Sequence, residues 1–277
     1  MPQSTPLHRK PAFVFGPPIL LGLVGSMLLI QAAVAGPRLD IIQAQLEQTK
    51  GNEISALAPL VAYSLPRAQL SNPASEFVIV NKHNPINPSN FTPENLVPVK
   101  SSESLDNFRE VELSEPAARA LEAMAREMFE QGQGRMELNS GFRSFSTQEK
   151  LFERFSSQQG LSQALLKAAK PGFSEHQTGL AADISFPSQG CAIMTCFGNT
   201  SAGKWIAENA WRHGFIVRYK QETEQITGYS YEPWHLRFVG FEVARLYAKN
   251  GMNNLEELWG LPPAPNYLPA IAESTND

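Results

Sequence analysis

A chain of 277 residues can bury a full core, and its length favours one domain with attachments. Its 23 basic and 27 acidic residues leave a net charge of -4, which gives no electrostatic footprint for nucleic acid, whose binding calls for a basic patch or stripe. Hydrophobic residues make up 42%, ordinary for a globular protein, so neither wholesale disorder nor a polytopic membrane protein fits.

His8, Arg9 and Lys10 precede an uncharged, mostly apolar run from Pro11 to Pro37. A basic flank before an apolar stretch reads as an export signal, and Ala33-Val34-Ala35 supplies the small residues a signal peptidase needs. Left uncut, the run is long enough to cross a bilayer core of about 30 Å. The basic residues come first, so the rest of the chain is expected outside the cytoplasm, on the periplasmic or extracellular face. Residues 1–36 therefore read as a signal peptide or membrane anchor. A short helix over Leu39–Lys50, followed by Ser, Pro and Asn, makes residues 37–76 a linker.

Phe77-Val78-Ile79-Val80 has strand composition and opens the compact domain, residues 77–262. The prolines from Pro85 to Pro98 leave little room for regular structure. Ser114 and Pro116 then start a helix with Ala117, Leu121, Met124 and Met128 at helical spacing, closed by Gly132. A second helix is expected from Ser146, where Ser146-Thr147-Gln148-Glu149 has capping-box form. Further helices run from Ser201 to His213 and from Phe241 to Asn250. Strands are expected at Met136–Leu138, Leu180–Phe186, Phe215–Tyr219 and Trp234–Phe238. The pattern predicts an α+β fold, a small antiparallel sheet with helices on one side. Residues 263–277, opening on Pro263-Ala264-Pro265, read as a tail that leaves the fold.

Cys191 and Cys196 are the whole cysteine complement. In an exported chain an even pair this close predicts a local disulfide. Two zinc ligands are the competing reading, but ligand pairs usually sit closer together, with further Cys or His nearby.

Of the five histidines, His8 lies in the export segment, His83 among the prolines, and His213 at a helix end before Gly214. His176 and His235 lack such plain explanations. His176 precedes a strand containing Asp183, whose apolar neighbours make a lone carboxylate expensive unless it is paired or metal-bound. His235 enters another strand, with Glu232 three residues before it. Two imidazoles and one carboxylate form a three-ligand zinc set with a fourth place for water, and Glu232 is close enough to serve as general base. Taken singly, such residues are more often hydrogen-bonded structural groups.

Ser174-Glu175-His176-Gln177-Thr178-Gly179-Leu180-Ala181-Ala182-Asp183 followed by Glu232-Pro233-Trp234-His235 resembles the paired signature of the VanY-type D-alanyl-D-alanine carboxypeptidases. These are zinc metallopeptidases related to D,D-dipeptidases and hedgehog domains. Ser140-Gly141-Phe142-Arg143-Ser144, Pro171-Gly172-Phe173 and Gly214–Tyr219 are supporting matches. The resemblance implies that His176, Asp183 and His235 bind zinc and that Glu232 is the base. Arg143 would steady the substrate's carbonyl or carboxylate, with Gln148 and Ser174 holding the terminal residue. The implied substrate is the peptidoglycan stem peptide, cut by a monomer to release the terminal D-alanine. An L,D-carboxypeptidase or a crosslink endopeptidase is the nearest alternative. A non-catalytic, zinc-stabilised wall-binding domain would need neither Glu232 nor Arg143. Phe142 stands where the family more usually has Tyr, and Pro187–Asn199, with both cysteines, is a local elaboration beside Asp183.

Overall fold

A computed structural model of the chain describes residues 67–269. The export segment, the Leu39–Lys50 helix and the end of the tail lie outside the described residues. Among those described, no helix is long and apolar enough to cross a membrane.

The architecture is α+β. Short helix α1 (Arg67–Ser71) leads into an irregular segment and the strands β1 (Leu96–Pro98), β2 (Leu105–Asp106) and β3 (Glu112–Ser114). Helix α2 (Glu115–Glu130) begins directly after β3, with Ser114 at its N-cap position and Pro116 in its first turn. Then come β4 (Met136–Ser140), α3 (Phe145–Gln159), α4 (Leu161–Lys167) and β5 (Ala181–Ser185). They are followed by α5 (Ser201–Asn209), β6 (Phe215–Tyr219), α6 (Glu224–Thr227), β7 (Glu232–Phe238), α7 (Phe241–Lys249) and α8 (Leu255–Leu258).

The main sheet has the order β2-β4-β5-β7-β6, while β1 and β3 form a separate two-stranded sheet. The β4-β5, β5-β7 and β7-β6 pairs are antiparallel, as expected, but β2 joins β4 in parallel. Helix α2 supplies the crossover that a parallel pair requires. The expected strand at Phe77–Val80 does not form. Ile79 N donates to Leu70 O, and Val78 O receives the Arg237 guanidinium at 2.7 Å, so other groups take the bonds a strand would make. Helix α3 starts earlier than expected: Ser144 Oγ accepts from Thr147 N at 3.2 Å and caps it, ahead of Ser146.

Two apolar clusters cover the sheet. The larger packs Ala117, Leu121, Met124 and Met128 of α2 against Ile184, Leu236, Phe238, Phe215 and Val217. The smaller sets Ile216 against Val243, Tyr247, Leu255 and Trp259. Because Ile216 alternates with Phe215 and Val217, helices lie on both faces of β6, not on one side of the sheet. Before the described residues end, Ala264 is fully buried and Tyr267 Oη accepts from Lys170 N, so this part of the expected tail packs back on the domain.

Candidate metal centre

Period-two alternation builds the site. In β5, Ala182 and Ile184 enter the larger apolar core, which turns Asp183 to the opposite face. In β7, Leu236 and Phe238 do the same and leave His235 and Arg237 beside it. Asp183 and His235 are register partners across the β5-β7 ladder. The third member comes from the 3-10 turn Glu175–Thr178, which ends at Gly179 with φ 69°. A side chain at Gly179 would also press on Leu96 and the Ser114 backbone, so glycine is required there.

His176 Nε2 lies 3.2 Å from Asp183 Oδ2, and His235 Nδ1 lies 3.2 Å from Asp183 Oδ1. One ligand atom from each of His176, Asp183 and His235 falls within 4.8 Å of the others. The remaining ring nitrogens are engaged elsewhere. His176 Nδ1 is 2.7 Å from Gly141 O, and His235 Nε2 is 3.2 Å from Glu175 Oε2. With acceptors on those nitrogens, His176 Nε2 and His235 Nδ1 face Asp183, and these are the ring atoms that can bind a metal once they carry no proton. Two imidazole nitrogens and a carboxylate suit zinc, so the donor set fits that ion.

Behind His235 lies a buried ionic chain. Glu175 Oε1 accepts from Arg218 Nε and Arg237 Nη1, both at 2.9 Å, and Arg218 forms a two-point pair with Glu256 at 2.7 and 3.0 Å. Asn81 donates to Glu256 at 3.0 Å. Two arginines and two glutamates balance, which lets fully enclosed charges persist. Spacing-based reasoning on the histidines did not assign Glu175, Arg218, Arg237 and Glu256 to the centre. A clue was present: Arg218 and Arg237 interrupt apolar strands just as Asp183 does.

The electrostatics follow from these contacts. Burial opposes the charge on Asp183, but His176 and His235 outweigh it and hold the carboxyl well below its usual range. Burial also opposes the charge on Glu175, and Arg237 and Arg218 outweigh it in the same way. Burial would lower His235, yet hydrogen bonds to Asp183 and Glu175 carry it up to about 9. His176 is lowered, chiefly by burial. Glu232, the first residue of β7, is pushed up to about 8 by burial, with the His235 and Arg143 charges opposing. Its Oε2 is 3.9 Å from His235 Nδ1.

The centre opens into a cavity of about 760 Å³. Arg143 enters it from the turn after β4, its Nη2 3.8 Å from Asp183 Oδ2. Gln148 Oε1 and Ser140 Oγ hold that guanidinium at 2.9 and 2.8 Å. Ser174, Ile193 and Met194 line the cavity, while Cys191 and Cys196, on either side of the last two in the chain, are bonded to each other.

A mixed α+β sheet, a His-Asp-His cluster on its polar face and a buried carboxyl in the same cavity together mark a peptidase-type domain with a site able to take a metal. The family can be named from the sequence. The VanY model, D-alanyl-D-alanine carboxypeptidase, matches residues 110–241, and the chain belongs to that family. The Bacillus subtilis (strain 168) protein YodJ is 39% identical over 189 residues, 68% of each chain. The structure of the LdcB LD-carboxypeptidase is 38% identical, with a TM-score of 0.62 over 68% of this chain and 87% of that one. A variant of the vancomycin resistance D,D-pentapeptidase VanY, solved with Zn(II), is 29% identical; its TM-score is 0.54 over 65% of this chain and 97% of that one.

Proposed function

We propose that this chain is a zinc carboxypeptidase that hydrolyses the terminal D-Ala-D-Ala bond of peptidoglycan stem peptides. The observation that carries this reading is the convergence of His176 Nε2, Asp183 and His235 Nδ1 on one point while Gly141 and Glu175 occupy the other two ring nitrogens. When bound there, zinc polarises the scissile carbonyl and makes water a better acid. Glu232 takes the proton from the attacking water and then delivers it to the leaving amine. Its raised pKa favours the proton-holding form between those two events, and a neighbouring dication would pull that value down towards neutrality. Arg143, clamped by Gln148 and Ser140, receives the substrate's terminal carboxylate, and Ser174 helps to hold the terminal residue. A guanidinium suits a carboxylate because it offers two parallel donors.

Peptidoglycan lies outside the cytoplasmic membrane, so the function calls for export. The basic flank and apolar run at residues 8–37 support that route, as a cleaved signal or an anchor. In this reading the chain ahead of α1 carries the domain away from the membrane and the monomer is the working unit.

A second reading, L,D-carboxypeptidase activity on tetrapeptides, has an observation of its own: 38% identity to the LdcB LD-carboxypeptidase. Incubating zinc-loaded protein with penta- and tetrapeptide stems and weighing the products separates the two. Release of one D-alanine from the pentapeptide is expected, with no cutting of the same peptide amidated at its C-terminus. Trimming of the tetrapeptide alone would establish the second reading. Equal cleavage of acid and amide would show that no carboxylate is read and would replace both readings with an endopeptidase.

A further inference from the structure

The segment between β5 and α5 is unlike the rest of the cavity wall. Phe197, fully buried and stacked on Phe186 at 6.3 Å, anchors its far side. Gln189 fixes the near side, donating to Gln133 O at 2.6 Å and accepting from Ala202 N at 2.9 Å. Between these anchors the Cys191–Cys196 disulfide closes a five-residue step. Within it Cys191 and Ile193 hold φ values of 59° and 53°. That left-handed conformation is unfavourable for any residue with a Cβ, and most of all for a β-branched one. Its product is an exposed apolar tip. Ile193 is 39% and Met194 57% exposed, yet both line the same cavity as His176, Asp183 and His235.

Topology says which part of a substrate this tip faces. Ser140, at the end of β4, pairs with Asp183, and Arg143 lies just beyond, with its N donating to His176 O. The cysteine loop leaves from the opposite end of β5, past Ser185. Arg143 and the loop therefore flank Asp183 on opposite sides. A peptide whose terminal carboxylate sits on Arg143 runs towards the loop with the residues on the amino side of the cut bond.

We propose that the Cys191–Cys196 loop is a specificity wall, in which Ile193 and Met194 pack on the aliphatic part of the stem residue one step in from the scissile D-Ala-D-Ala unit, a diamino acid with a run of methylenes. This rests on the carboxypeptidase reading given above. The disulfide makes the wall rigid, so substrate range, more than the chemical step, depends on that bond. A flexible loop would have to order itself on binding, and that ordering weakens affinity.

The test is binding by calorimetry to zinc-loaded full chain. The two ligands are an N-acetylated stem pentapeptide and N-acetyl-D-Ala-D-Ala, each N-methylated at the last amide so that it is not cut. The unsubstituted protein should bind the pentapeptide on the order of tenfold more tightly, as burial of an aliphatic segment implies. Ile193→Ser with Met194→Ser should remove most of that ratio. Cys191→Ser with Cys196→Ser, which keeps the apolar tip but frees it, should remove part of it. Equal affinity for the two peptides in the unsubstituted protein, or a ratio that survives both double substitutions, would overturn the proposal. Failure of the carboxypeptidase reading would appear separately, as the wrong product or none from unmethylated peptides.

Discussion

The two faces of the central sheet solve opposite problems with the same strands. On one face Ile184, Leu236 and Phe238 meet α2 as hydrocarbon, and each contributes roughly in proportion to the area it hides. On the other face, one residue along, Asp183, His235 and Arg237 are enclosed as charges, each held by a named partner. Losses on the apolar face should be graded and confined to stability. Losses on the polar face should spread, because removing one member leaves another buried and unpaired.

The largest expected effect is at the centre of the polar face. His176→Ala together with His235→Ala should abolish zinc binding and all turnover, measured by metal content and product release. Zinc retained by that double variant would remove the assigned ligands from the account.

Next comes Glu175→Gln, at a carboxylate fully buried behind His235. It should lower zinc affinity by about 10–100-fold, because His235 Nε2 loses its charged acceptor. Stability should fall by about 3–5 kcal/mol, because Arg218 and Arg237 lose their shared carboxylate. Competition titration and thermal unfolding read the two effects, and a change in only one would split the chain of charges from the metal centre. Leu236→Ala probes the other face. A stability loss of about 2–5 kcal/mol with unaltered zinc affinity is expected, and a parallel fall in zinc affinity would contradict the separation of the faces.

The polar face should also respond to pH. Metal-free, His235 is held at about 9, above its usual 6.5, so its contribution to the fold is complete below about 6.5 and fades as pH rises through about 9. Zinc needs the same nitrogen without its proton. Apparent zinc affinity should therefore climb about tenfold per pH unit up to about 9. A flat profile between pH 6 and 8 would show that His235 is not protonated in the apo protein. The smallest effect belongs to the rim: joint replacement of Cys191 and Cys196 by Ser should cost about 2 kcal/mol in thermal stability on the loop-entropy picture.

The two faces were unequally legible in the sequence. The apolar face could be read directly, since Leu121, Met124 and Met128 in α2 and the alternation in β5, β6 and β7 follow fixed periods. Asp183 stood out as a carboxylate within such a strand, and the structure brings His176 and His235 to it. The ionic chain was harder, because Glu175, Arg218, Arg237 and Glu256 lie far apart along the chain and only folding brings them together. Phe77–Val80 misled for a related reason. Its composition suits a strand, but what decides its backbone is a guanidinium from β7. Local propensity carries no information about that contact.

The most direct measurement is made on Glu232→Gln, with zinc content and pentapeptide turnover read from the same preparation. The substitution removes the proton-accepting carboxylate while keeping shape and hydrogen bonding. About one zinc per chain should remain, and turnover should fall by roughly 10²–10⁴-fold. Loss of the zinc would make Glu232 a ligand, and undiminished turnover would leave the proposed proton transfer without its base.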